Sequence, residues 1–189
     1  MSPATQAQPQ SETLLTAEQY AGLPDDGRAT ELVKGKVVDM PSPKPEHGYY
    51  CANIVSALQE HVRPRDLGRV VSNDSGVVTT RGPDSVRGPD VAYYSYERVP
   101  KGPLPKGYWP APELVFEVRS PSDRLSDLYA KISEYIKAGV KVVCLVDPDK
   151  ATVLIYPGEE FLRMLGATDD LTLSEVLPEF RVPVRQLFE

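Results

Sequence analysis

The stretch from Glu113 to Val146 limits how this chain can fold more than any other part of it. It opens with an apolar run, Leu114-Val115-Phe116-Glu117-Val118, and ends with a second one from Lys141 to Val146, stopped by Asp147-Pro148. Between them Leu125, Leu128, Ile132, Tyr135 and Ile136 recur at helical spacing, and Gly139 closes the pattern. A strand, a helix and a strand in this order join two parallel neighbours by a crossover. Strands of a parallel pair are covered on both faces, which is why both runs are almost wholly apolar.

The rest of the chain adds antiparallel partners. Ala29 to Val33 and Lys36 to Met40 flank the turn signal Lys34-Gly35 and read as a hairpin. Gly68 to Ser72 and Gly76 to Thr80 bracket Asn73-Asp74-Ser75 and read as a second hairpin. A helix is predicted from about Glu46 to Val62, with Tyr50, Ile54, Leu58 and Val62 one turn apart and Pro64 behind them. Arg81 to Gly88 reads as a polar loop, and Tyr96 to Pro112, with five prolines, as a long one. Thr152 to Tyr156 and Phe161 to Leu165 read as strands, and Leu171 to Glu189 as a terminal arm anchored by Leu177, Phe180 and Phe188. The expected fold class is α/β, a mixed central sheet flanked by helices with an N-terminal hairpin.

Two acids interrupt the apolar pattern. Along its strand Glu117 shares a face with Val115, while Leu114, Phe116 and Val118 take the other. Asp90 opens the run Pro89-Asp90-Val91-Ala92-Tyr93-Tyr94. A buried charge costs several kcal/mol unless it is compensated. Two carboxylates on neighbouring strands suit Mg²⁺, which takes a few oxygen ligands and keeps its waters. The competing reading of Glu117 is an ion pair with Arg119 or another cation near the strand end. Lys131 lies at the margin of the helix stripe, where its stem can follow the sheet and its ammonium can reach the strand ends. The competing reading there is an i, i+4 bridge to Asp127.

Composition sets outer bounds. At 189 residues, 41% hydrophobic and 25% charged, the chain suits one core, expected over residues 14–189, behind a polar, disordered tail at 1–13. That tail lacks the apolar segment of a secretory signal, and no run approaches the roughly 20 apolar residues of a membrane span. Cys51 and Cys144 are too few for a disulfide framework and read as buried free thiols in a reducing compartment, hence a cytoplasmic protein. A net charge of −6 argues against a non-specific nucleic-acid coat. It leaves a nuclease open, since acids that hold a metal lower the net charge.

Several stretches together resemble the Uma-type endonuclease family of bacteria, whose activity is inferred. They are Glu31-Leu32-Val33-Lys34-Gly35-Lys36-Val37-Val38-Asp39-Met40-Pro41-Ser42-Pro43 with His47, then Pro89-Asp90-Val91-Ala92, and Leu114 to Asp123. Lys131, Tyr135, Gly139-Val140, Val146-Asp147-Pro148 and Leu177-Pro178-Glu179-Phe180 follow. The resemblance implies a restriction-endonuclease-like fold of the PD-(D/E)xK type. It also implies that Asp90 and Glu117, with the carbonyl of Val118, bind Mg²⁺ or Mn²⁺ and that Lys131 is catalytic. Where that superfamily places a lysine two residues after the acid, this chain has Arg119, which keeps the charge but does not give up a proton. Lys131 on the next helix matches a relocated lysine. Glu31, His47 and Arg119 are accessory candidates. His47 also reads as a structural histidine, and Ser120 and Asp123 read as caps of the Lys131 helix.

The expected activity is metal-dependent hydrolysis of DNA, duplex DNA foremost, by a homodimer with no membrane partner. Arg87, Arg119 and Arg124 are candidates for phosphate contacts. Two other classes stay open: a nuclease-fold interaction protein without activity, and a small nucleotide phosphohydrolase.

Overall fold

A computed structural model describes residues 13–158 and 161–189. The expected tail at 1–13 thus lies outside the described residues except for Thr13. A short helix, α1 (Ala17–Ala21), comes first; Thr16 and Gln19 close it with a reciprocal capping box, which the sequence reading had not marked. Strands β1 (Thr30–Val33) and β2 (Lys36–Asp39) form the expected hairpin. Its turn residues Lys34 and Gly35 have φ of 50° and 78°, the left-handed pair that a tight two-residue hairpin demands.

Helix α2 (Pro45–Val62) is followed by β3 (Gly68–Ser72), β4 (Val77–Thr80), β5 (Ser85–Arg87), β6 (Val91–Ser95) and β7 (Leu114–Val118). Then come α3 (Leu125–Lys137), β8 (Val142–Asp147), β9 (Thr152–Pro157), β10 (Arg163–Leu165), β11 (Asp170–Leu173) and β12 (Leu177–Pro183). A 3-10 turn, Val184–Leu187, ends the described elements. The six-stranded sheet has the order β10-β9-β8-β7-β6-β3, and a four-stranded one the order β2-β1-β5-β4. β7 and β8 run parallel, with α3 as the crossover between them, as the strand–helix–strand pattern requires. The terminal arm folds back as the β11–β12 pair.

Two sequence readings are corrected. β3 and β4 are not a hairpin: β3 pairs with β6 in the large sheet, and β4 with β5 in the small one. Asn73 and Asp74, at φ of 69° and 50°, turn the chain from one sheet to the other instead of back along itself. The stretch read as a polar loop supplies β5, the inner strand between β1 and β4. It looked like a loop because the polar groups of Ser85 and Arg87 are hydrogen-bonded inside the protein instead of solvated.

The large sheet is covered on both sides. Ile54, Leu58 and Val62 of α2, with Leu171, Leu177 and Phe180 of the arm, pack over Leu114, Phe116 and Val118. Leu128, Ile132 and Tyr135 of α3 pack over Val115, Val143 and Leu145. Leu125, which helical spacing placed in this stripe, lies in the first turn and is exposed. The alternation along β7 thus delivers Glu117 to the α3 side, buried beneath that helix. Among the described residues no helix is long and apolar enough to cross a membrane.

Candidate active site

The β6–β7 ladder pairs Val91 with Phe116, so one step further Asp90 comes opposite Glu117. Both acids are buried, at 8% and 5% exposure. Glu117 meets α3 twice. Its Oε2 accepts a hydrogen bond from Lys131 Nζ at 3.0 Å and its Oε1 one from the Tyr135 hydroxyl at 2.8 Å. Lys131 and Tyr135 stand one helical turn apart, which is why both reach one carboxylate. The ammonium also donates to the Gly88 carbonyl at 2.8 Å and lies 3.2 Å from Glu31 Oε1. It therefore turns inward, not toward Asp127, and its three protons face three acceptors. Burial pushes the Glu117 carboxyl up to about 8 against the pull of Lys131, and the neighbouring Asp90 charge adds to the rise.

Asp90 is held separately. Its Oδ2 accepts the Val118 N–H at 2.5 Å and lies 3.2 Å from His47 Nε2 in the first turn of α2. The hydrogen bond to Asp90, with a smaller share from Cys51, raises the His47 imidazole to about 11, so the ring is a cation at neutral pH. The other ring nitrogen, Nδ1, is 3.5 Å from Cys51 Sγ. Across from them lies the Asn73–Asp74 turn. A Cβ at Gly88 would come within 2.7 Å of the Asp74 carbonyl oxygen, so only glycine lets this turn rest against the segment entering Asp90. Burial first, and then the Asp90 charge, raises the Asp74 carboxyl above its usual range. A cavity of about 470 Å³ opens here, lined by His47, Cys51, Val55, Asn73, Asp74 and Asp90 among others.

Glu31 is neither solvated nor on the hairpin surface. It is 4% exposed; Oε1 accepts the Gly88 N–H at 2.8 Å and Oε2 a bond from Arg87 at 2.9 Å. Arg87 also clasps Glu134 of α3 through two nitrogens, at 2.8 and 3.1 Å. It is thereby committed inside the protein, contrary to its reading as a phosphate contact. Arg119 pairs with Asp147 at the end of β8, at 2.8 Å, and not with Glu117. Asp123 accepts the Ser120 N–H at 2.7 Å and so caps a turn before α3, while the N-cap of the helix is Arg124 with no side-chain cap.

The structure thus gathers Asp90, Glu117, Lys131, Glu31, His47 and the backbone of Val118 in one region, and leaves Arg119 outside it. Sequence reasoning missed Asp74 and the Arg87–Glu134 clasp, and it took Cys51 for a buried thiol. Cys51 and Tyr135 each stand four residues after a chosen residue, His47 and Lys131, and that spacing was the available signal. The donor set splits into two kinds. Asp90 and Glu117 offer the hard oxygens that Mg²⁺ or Mn²⁺ takes; each Glu117 oxygen accepts one hydrogen bond and keeps a second lone pair, while Asp90 Oδ2 is engaged by both the Val118 N–H and His47. Compensation for Glu117 is supplied in the structure by Lys131, which matches the competing reading of an ion pair with a cation near the strand end, with Lys131 in the place of Arg119.

A family model described as "Uma2: Putative restriction endonuclease" matches residues 17–185. The chain is also similar to a solved structure from Anabaena variabilis ATCC 29413, titled a "putative nuclease belonging to DUF820". The TM-score is 0.80 at 22% identity, over 92% of this chain and 97% of that one. A likeness at that identity establishes the fold alone, a mixed sheet flanked by helices. No curated protein matches the chain. The matched span reaches from the first residue of α1 into the terminal 3-10 turn and takes in every strand and helix that builds the site; the chain belongs to the Uma2 family.

Proposed function

We propose that the protein is a metal-dependent endonuclease that hydrolyses phosphodiester bonds of DNA. The reading is carried by one observation: the side chains of Asp90 and Glu117 leave opposed positions on adjacent strands, with the Lys131 ammonium 3.0 Å from Glu117. Asp90, Glu117 and the carbonyl of Val118 would hold Mg²⁺ or Mn²⁺. Such an ion polarises the scissile phosphate and makes a bound water acidic enough to attack near neutral pH.

The remaining work belongs to this chain's own groups. The Val118 N–H fixes Asp90 Oδ2, and the Tyr135 hydroxyl fixes Glu117 Oε1, so neither carboxylate has to be ordered when substrate arrives. Glu31 and the Gly88 carbonyl hold Lys131 at the strand ends, where its charge would face the negative charge growing on phosphorus. Duplex DNA is the expected substrate. Cutting both its strands calls for two such sites, hence a homodimer with a twofold axis. The free thiols of Cys51 and Cys144 fit a reducing cytoplasm.

One observation favours a second reading, a nuclease fold kept for interaction alone. Each acid already has a cationic partner, Lys131 for Glu117 and His47 for Asp90. Incubating supercoiled plasmid with the protein and Mg²⁺ separates the two. Nicked or linear DNA is expected from the parent and none from Glu117→Gln, which keeps the shape of the side chain. Intact plasmid with both proteins, under Mg²⁺ and Mn²⁺ alike, would leave the interaction reading in its place. Release of phosphate from mononucleotides with no plasmid cut would point to the small phosphohydrolase.

A further inference from the structure

We infer a second cation site, for Zn²⁺, built from His47, Cys51 and Asp90. His47 and Cys51 are four residues apart on α2, so their side chains leave the helix on the same side. Asp90 reaches them from the start of β6. Cys51 Sγ lies 3.5 Å from His47 Nδ1, and His47 Nε2 lies 3.2 Å from Asp90 Oδ2. One ligand atom from each of the three residues lies within 4.8 Å of the other two. In a tetrahedral zinc site, bonds of about 2.0 to 2.3 Å put neighbouring ligand atoms roughly 3.3 to 3.8 Å apart. Closing a zinc shell requires the imidazole, which now turns a different nitrogen to each neighbour, to turn one to the ion, and the ion displaces the His47 ring proton and the Cys51 thiol proton to solvent.

Three further features point to zinc and not to the ion proposed for the nuclease. A sulfur, a nitrogen and an oxygen form the donor set of a borderline-soft ion, whereas Mg²⁺ selects oxygen. All three residues line the cavity of about 470 Å³, whose open side leaves a fourth position to water. Asp74 lines the same cavity and, hydrogen-bonded to Asp90, brings a further oxygen beside the site. The surroundings thus favour a cation without closing its coordination shell.

Asp90 is shared between this site and the proposed nuclease centre. An ion drawn toward Cys51 takes Asp90 out of its pairing with Glu117, so Zn²⁺ would silence cleavage supported by Mg²⁺. That consequence rests on the nuclease reading; zinc binding itself does not.

Cobalt(II) reports the site directly, because a cobalt–thiolate bond gives a charge-transfer absorption that carboxylate or imidazole ligands do not. Titrating the full chain with Co²⁺ should give this band at one equivalent, and added Zn²⁺ should erase it. Cys51→Ala, a change that favours the helix, should lose the band, while Cys144→Ala should keep it, since Cys144 is fully buried elsewhere in the core. His47→Gln should weaken Zn²⁺ binding at least roughly tenfold. No thiolate band in the parent, or a band that survives in Cys51→Ala, overturns the site. In the plasmid assay Zn²⁺ should inhibit the parent and spare Cys51→Ala. A protein that shows the band but never cuts DNA refutes the nuclease reading and leaves the zinc site standing.

Discussion

Replacing Lys131 by methionine keeps most of the stem and removes the charge. The ammonium sits against Glu117 Oε2 at 3.0 Å, Glu31 Oε1 at 3.2 Å and the Gly88 carbonyl at 2.8 Å. Lys131 is 13% exposed in its side chain, and the two acids 7% and 5%. Leaving a buried acceptor without a partner costs about 1 to 3 kcal/mol, and removing one member of a buried ion pair about 3 to 5 kcal/mol. Which figure applies depends on whether Glu117 is ionised. Its folded carboxyl is raised by burial to about 8 from an ordinary 4.5, so the fold prefers the protonated form. The stability that Glu117 contributes is therefore complete below the unfolded carboxylate range and is lost as pH rises through 8. Without Lys131 the carboxyl rises further, so parent and variant lose stability alike up to about pH 8 and the gap between them widens above it. The Lys131 ammonium, itself raised by its two acids despite burial, stays charged throughout this window. For a chain of this size about 1 kcal/mol moves Tm by roughly 2 to 4 °C. Thermal unfolding in EDTA should thus show a loss of several degrees near about pH 6, growing by about 3 to 5 °C near about pH 9. The double variant Lys131→Met/Glu117→Gln should flatten that pH dependence. A loss below about 2 °C at both pH values, or a gap that does not widen, would refute the buried ion-pair reasoning.

Two further outcomes follow from the same geometry. Protons and Mg²⁺ compete for Glu117, so the Mg²⁺ concentration at half-maximal plasmid cleavage should fall as pH rises toward 8 and level off above it; a requirement independent of pH would contradict this. Gly88→Ala drives a methyl group into the Asp74 backbone at 2.7 Å, which should cost about 1 to 3 kcal/mol in urea unfolding and lower cleavage by shifting Asp90; unchanged stability and rate would mean that the Asn73–Asp74 turn does not position the acid.

The central parallel pair and its helix were legible because two apolar runs and a helical stripe leave few other foldings. The face of Glu117 followed from alternation alone, and the clusters on either side of β7 match it. The β3–β4 error has a local cause. Asn73-Asp74-Ser75 is a turn signal, but a turn signal says that the chain changes direction and not which sheet receives it. β5 was invisible because Ser85 and Arg87 carry polar groups that find partners 47 to 56 residues away, Ser85 in the Lys34 N–H and Arg87 in Glu31 and Glu134. The same limit hid the commitment of Arg87 and the Arg119–Asp147 pair: a charge in sequence looks free until its long-range partner is placed. Lys131 was read from its position on the helix margin together with the family resemblance, since position alone left the bridge to Asp127 equally open. The pairing of Asp90 with His47 had no sequence signal, because it depends on how α2 approaches the sheet, whereas a cation beside Glu117 was the competing reading.

Diffraction from a crystal soaked in Mn²⁺, recorded for its anomalous signal, tests the proposed centre most directly. An ion in contact with carboxylate oxygens of both Asp90 and Glu117, with the Lys131 ammonium moved off Glu117 Oε2, is the expected result. Saturating Mn²⁺ with no ion between these acids, and with the 3.0 Å Lys131–Glu117 contact unchanged, would contradict it.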